Sequence, residues 1–397
     1  MPEPAVRSVA KPPSESPAFS DEALFLTDAS VPGPVRATRA PGGAFSARAI
    51  ADWSLLEQLH VAWQELARVA AEPNPFYEPW MLLPALRSFA PASRIEVIAV
   101  YRGELLCGLF PTEYRRGRAG LWRHPYCYLT APLLRRGFER EAIRCWLDAL
   151  ASRAQVVRLE DVPGDGCVRI HLLDELNERG WPALISQAYT RAVLQRAPTA
   201  EDFLSRALAG KRRKELRRQR ARLSELGRLT TEELPEGADP RPWVAELLDL
   251  EARGWKGREG VDSLRDRAFM EEMAAGAARA GKLQMLALRL DGQPVALKMN
   301  LFGGEGGFAF KITFDESFGR FSPGVLLELD NVERAHQLPA LRWMDSCAAP
   351  NRFMINHLWP DRREMQTVFF STGSRRGALA VAMIPLLHFL RRLVRAA

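Results

Sequence analysis

The segment 282–345 constrains the fold most. It runs in a fixed order: strand-like stretches at 283–290 and 295–302 around an Asp291-Gly292 turn, then a glycine-marked strand at 307–314. After these, Arg320-Phe321-Ser322-Pro323-Gly324-Val325 opens an apolar helix. Two apolar runs around Asp-Gly are a strong hairpin signal. Ser322 fits an N-cap and Pro323 the first helical position, while Gly324 leaves the backbone bare on its outer side. A helix start with uncapped amides and a partial positive charge, placed after a strand, suits a phosphate or pyrophosphate. The order therefore predicts a phosphate-bearing acyl donor.

At 397 residues the chain exceeds the usual single-domain size, so two α/β domains with full cores are expected. Hydrophobic content of 47% and charged content of 26% describe an ordinary globular composition. Cys107, Cys127, Cys145, Cys167 and Cys347 form no CxxC pair, which argues against a zinc site or a disulfide framework and for a reducing compartment. The six histidines show no HExxH-like spacing, so no metal is expected. The net charge of +7 points to anionic partners, among which nucleotides and phospholipid surfaces count as much as nucleic acid. Residues 1–45, rich in Pro, Ser and Ala and without an apolar secretory segment, read as a disordered leader.

Helical periodicity over 52–71 predicts one amphipathic helix, broken by Asn74-Pro75-Phe76-Tyr77-Glu78-Pro79-Trp80. A short helix at 80–89 and a hairpin turning at Arg102-Gly103 follow. Helices are expected near 138–152 and 168–179, and strands near 155–159 and 182–193. The second half repeats this plan, with helices at 242–254 and 264–280 before the hairpin at 283–302. The expected domains are 46–200 and 201–370, the second holding the donor and the cleft between them the acceptor. A tail at 371–397 completes the chain.

Lys211, Arg212, Arg213, Lys214, Arg217, Arg218, Arg220 and Arg222 crowd one helical stretch at 203–226. It is either a solvated helix whose alkyl stems pack or an anion-binding face. Without RNP-type aromatics or a recognition-helix motif nearby, nucleic acid is not the expected partner. The tail 377–390 is almost wholly apolar, is too short to span a bilayer, and is followed by Arg391, Arg392 and Arg395. It either docks on the protein or lies in a membrane interface, with Pro385 bending or restarting its helix. The second case would place the protein as a peripheral contact at the cytoplasmic face of the inner membrane.

The hairpin at 283–302, the strand at 307–314, Phe318 to Leu327 and Leu341-Arg342-Trp343-Met344-Asp345-Ser346-Cys347 together resemble the GNAT-type acetyltransferases grouped with the cellulose-biosynthesis protein CelD and the BioF2-like domain. The basic run Lys211 to Arg218, Glu251 to Gly257 and the Asn74 to Trp80 segment fit the same pattern, over about residues 46 to 370. This resemblance, with its relation to the FemAB peptidoglycan transferases, implies two tandem GNAT-like domains, each a mixed, mainly antiparallel sheet flanked by helices. It implies acetyl-CoA or another acyl-CoA as co-substrate, with Arg320, Phe321, Ser322, Gly324 and Val325 forming the pyrophosphate turn. Because FemAB relatives use aminoacyl-tRNA, an aminoacyl donor stays open, with the basic helix as its phosphate contact.

Transfer to an amine or hydroxyl needs a base and a stabiliser for the developing charge. Asp345, at the end of a strand expected beside the donor strand, is the candidate base, and a turn-capping aspartate is its other reading. Lys311 on the donor strand is a candidate contact to acceptor or phosphate. His357 and Trp359 are candidates for the acceptor pocket, as are Trp255 and Lys256 at a helix end. No Ser-His-Asp or Cys-His spacing supports covalent catalysis. The expected activity is therefore N-acyl transfer to an amine of a small molecule or of a lipid- or saccharide-linked acceptor, in envelope or polysaccharide assembly. Aminoacyl or long-chain acyl transfer, and a non-catalytic scaffold role, are the alternatives.

Overall fold

The computed structural model describes residues 43–90, 94–254, 264–350 and 353–396. The first half opens with β1 (Phe45–Ile50), α1 (Trp53–Gln58), α2 (His60–Val69) and α3 (Pro79–Phe89), so the helix expected over 52–71 is split at Leu59. It continues with β2 (Ile95–Arg102), β3 (Leu105–Arg115), β4 (Arg118–Leu121), β5 (Leu133–Leu134), α4 (Glu139–Ala151), β6 (Val156–Pro163), α5 (Cys167–Glu178) and β7 (Ala183–Gln195). Two helices follow where one basic helix was expected, α6 (Ala200–Ala207) and α7 (Gly210–Ser224). Leu208 and Ala209 between them take extended backbone torsions.

The second half has β8 (Leu229–Glu233), α8 (Arg241–Arg253), α9 (Leu264–Arg279), β9 (Leu283–Leu290), β10 (Gln293–Gly303) and β11 (Gly306–Phe314). Then come α10 (Pro323–Gln337), β12 (Trp343–Asp345), α11 (Phe353–Leu358), β13 (Asp361–Ser371) and α12 (Arg375–Ala396). Asp291 and Gly292 both have positive φ, 49° and 80°, which gives the β9–β10 turn the twist its strands require.

Thirteen strands form one sheet in the order β1-β2-β3-β4-β6-β13-β7-β12-β11-β10-β9-β8, with β5 added beside β3. The order reveals an exchange. Each half supplies a hairpin, a strand running antiparallel to it and a parallel neighbour, and each gives its last strand to the other. β13 pairs with β6 and β7 pairs with β12, and the two exchanged strands pair with one another from Asp361↔Val193 to Phe370↔Ala183. The plan repeated in the sequence thus corresponds to two similarly wired α/β halves, joined at the centre of a mainly antiparallel sheet.

The largest core cluster draws on both halves: Trp63, Phe76 and Trp146 share it with Phe269, Met285 and Phe308. Met285, Ala287, Leu297 and Met299 point from β9 and β10 toward this cluster, whereas Leu286, Leu288 and Ala296 point to a second cluster with Leu326, Leu327 and Trp359. That alternation is the period of two that a sheet covered on both faces demands.

Candidate active site

β11 and β12 run parallel and pair only from Gly306↔Trp343 to Phe308↔Asp345. Glycine is required there, because a Cβ on Gly306 would lie 2.5 Å from the Trp343 ring and one on Gly307 would lie 2.7 Å from Met344 Cγ. Beyond the pairing, β11 carries one more residue than β10: Leu301 faces Phe308, but Met299 faces Lys311. The extra residue falls at Ala309–Phe310 and bends the strand. β12 stops at Asp345, and Cys347 two residues on has φ 53°. The pairing of the two strands therefore ends at Phe308↔Asp345, leaving a fork as β11 runs on to Phe314 and the start of α10.

That start differs from the expectation. Ser322 sits before Pro323 as expected, but in the left-handed region (φ 55°, ψ 51°), and its side chain caps nothing. Its carbonyl accepts from both Val325 and Leu326 N–H, at 2.9 and 3.1 Å. Since Pro323 has no amide proton, Gly324 is left as the donor of the first turn. The bare side of Gly324 faces inward: a Cβ would stand 3.1 Å from the Phe314 ring and 3.7 Å from Met354 sulfur. Phe321 is buried, Val325 is half-buried, and Arg320 is exposed with its guanidinium 4.7 Å from the Phe321 ring.

α7 lies along this corner. Gln219 Nε2 reaches the Arg320 carbonyl at 3.5 Å, and Arg220 donates to the Leu326 carbonyl at 3.0 Å while pairing with Asp330 of α10. Arg213 and Arg218 pair with Glu201 and Glu215. Lys211, Arg212, Lys214, Arg217 and Arg222 are exposed with no ion-pair partner among the described residues, so the positive field beside α10 is not locally neutralised.

Asp345 is fully buried. Its Oδ1 accepts from Cys347 N–H at 2.8 Å and lies 3.5 Å from Arg191 Nη1, while its Oδ2 has no hydrogen-bond partner. The turn-capping reading of this residue is thus observed, and its Oδ2 is left as an unused acceptor beside the β11–β12 pairing. Arg191, on β7, is itself almost wholly buried. It donates to the Tyr128 carbonyl at 2.7 Å and to Tyr189 Oη at 2.8 Å, and Tyr189 donates onward to Asp161 at 2.5 Å. Burial works against the Arg191 charge, but Asp345 and its other neighbours hold its affinity for the proton above the ordinary range. Burial, with Asp345 next, pushes the Cys347 thiol well up, which leaves it unsuited to act as a nucleophile.

Lys311 lies on the face that Asp345 occupies, on the opposite bank of the fork. It is not a free strand lysine: its ammonium is 2.8 Å from Glu251 of α8 and 5.7 Å from the Tyr126 ring centre. On the other face, Lys298 is buried 2.8 Å from Glu328 of α10. Asn331 donates to Glu328, and Asn300 donates to Asn331 and Gln284. Trp359 is fully buried, 5.9 Å from Lys298 Nζ by its ring centre, and its indole Nε1 has no partner. His357 is exposed on α11. Trp255 and Lys256 lie outside the described residues.

Residues 210–353 match the family model of the acetyltransferase (GNAT) domain. The match spans α7 to the start of α11 and so contains the fork, the start of α10 and Asp345. No curated protein matches the chain in sequence. A structure assigned as the C-terminal domain (DUF2156) of a lysylphosphatidylglycerol synthetase from Agrobacterium fabrum aligns over 83% of this chain and 97% of its own, with a TM-score of 0.54 at 12% identity. FemX aligns over 78% of this chain and 95% of its own, with a TM-score of 0.53 at 11% identity. At such identities the likeness is one of fold. Among the described residues no cluster of His, Cys, Asp and Glu could hold a metal ion.

Proposed function

We propose that the protein is an N-acyltransferase of the CelD and BioF2-like kind, moving an acetyl or longer acyl group from acyl-coenzyme A to an amine. The acceptor is a small molecule or a lipid- or saccharide-linked amine, in envelope or polysaccharide biosynthesis. The observation that carries this reading is the fork between β11 and β12. Its bulged strand leads into α10, and the unpaired cations of α7 stand beside it.

Gly324 N–H, Arg320 and the α7 cations hold the donor's phosphates. The acceptor nitrogen attacks the thioester carbonyl carbon, the carbon–sulfur bond breaks, and the acceptor loses one proton while the departing thiolate gains one. Asp345 Oδ2 takes the amine proton, and Arg191, 3.5 Å from the other carboxylate oxygen, keeps that group aimed. Lys311, held by Glu251, steers the acceptor from the opposite bank.

Titration calorimetry of the full chain with acetyl-coenzyme A tests the donor. We expect saturable binding that Arg320→Ala weakens about fivefold, equivalent to about 1 kcal/mol for an exposed charge contact. Absence of heat at millimolar ligand, with folded protein confirmed, removes the assignment.

The unpartnered cations of α7 favour a second reading, in which the donor is an aminoacyl group carried on tRNA. Binding of charged tRNA without binding of acetyl-coenzyme A selects it.

A further inference from the structure

α12 docks on the sheet by one side alone. Val381 is buried against Val156 of β6 and Phe369 of β13, with Ala380, Ile384 and Leu184 packed around them. Gly377 makes this approach possible, because a Cβ there would lie 2.1 Å from the Gln155 carbonyl oxygen. The helix continues through Pro385.

The opposite side is exposed among the described residues. Leu379, Met383, Leu386 and Leu390 are spaced i, i+4, i+7 and i+11 and so fall on one line along the helix. They are 65%, 38%, 46% and 47% exposed, and Phe389 beside them is 58% exposed. An unbroken row of large apolar side chains in water marks an interaction surface. Docking and apolar display, alternatives in the sequence, are thus combined in one helix.

Charge chooses the occupant. α12 holds no Asp or Glu, and its five arginines are Arg375, Arg376, Arg391, Arg392 and Arg395. Arg375 and Arg376 are exposed at the head of the stripe without an ion-pair partner among the described residues. A second copy of the chain would bring the same arginines against the same stripe, since a two-fold contact matches a patch with itself. A surface offering hydrocarbon behind anionic groups satisfies both features at once. We infer that the exposed stripe of α12 seats in the interface of an anionic lipid bilayer, with the helix lying along the surface. Among the described residues no helix is long and apolar enough to cross a membrane, so the contact is peripheral. The inference stands apart from the reaction proposed above.

Vesicle co-sedimentation of the full chain tests it, with vesicles of phosphatidylcholine alone and of phosphatidylcholine with phosphatidylglycerol. The wild type should pellet with the anionic vesicles, less so at high salt and little with the neutral ones. Leu379→Glu/Leu386→Glu, at exposed positions that leave the docked side intact, should reduce pelleting about tenfold with no change in melting temperature. Arg375→Ala/Arg376→Ala should lower binding to anionic vesicles only. Equal pelleting of wild type and stripe variant, or none with either vesicle, overturns the inference. Self-association of the wild type that the stripe variant loses, without vesicle binding, assigns the stripe to a second copy and also overturns it.

Discussion

Lys298 is a strand residue whose surroundings the sequence does not announce. A lysine in an alternating strand suggests solvent, yet this one is buried because Glu328, thirty positions later on α10, meets it across the second core cluster. Taking both charges from water costs several kcal/mol apiece, which their contact and the Asn331 bond offset. Lys298→Met should therefore destabilise the fold by about 3–5 kcal/mol, since it strands a buried carboxylate. Lys298→Met/Glu328→Leu should recover most of that loss, as read from urea unfolding midpoints. A double variant no more stable than the single one would mean that the wider Asn300–Asn331–Gln284 network, rather than the pair, carries the stability. Arg191 was equally hidden from the sequence. Its role beside Asp345 depends on β7 crossing into the second half, and no local pattern announces that.

At the scale of elements, the hairpins were legible because Asp291-Gly292 fixes its turn through backbone torsions alone, and so was the strand ending at Asp345. The start of α10 was legible in place but not in detail. Ser322-Pro323-Gly324 marked the helix boundary, while the left-handed Ser322 and the inward face of Gly324 follow from Phe314 and Met354, which only packing brings there. Gly324→Ala gives the test. Alanine should gain up to about 1 kcal/mol in helix propensity, but its methyl against Phe314 costs about 1–3 kcal/mol. We expect a lower melting temperature together with weaker acetyl-coenzyme A binding. Arg320→Ala, exposed, should weaken binding with the melting temperature unchanged. A Gly324→Ala variant that binds as tightly as the wild type would show that the donor does not approach this turn.

The whole molecule is organised by its strand exchange. The sequence showed two similar halves, since each repeats a plan of helices, then a hairpin, then a strand and helix. It did not show that β7 and β13 trade places, because pairings nearly two hundred residues apart leave no local trace. The exchange has a functional consequence: it brings Arg191 of the first half to Asp345 of the second, so the proposed base is oriented by the half that lacks the family match. The family match covers the second half alone, so one donor site, there, is expected. Hydrogen exchange on the full chain, with and without acetyl-coenzyme A, tests that claim most directly. The account predicts slowed exchange in peptides covering 306–326 and 343–349 and no change in those covering 118–121 and 156–163. Protection confined to the first half, or no protection at a ligand concentration that calorimetry shows to be saturating, would contradict it.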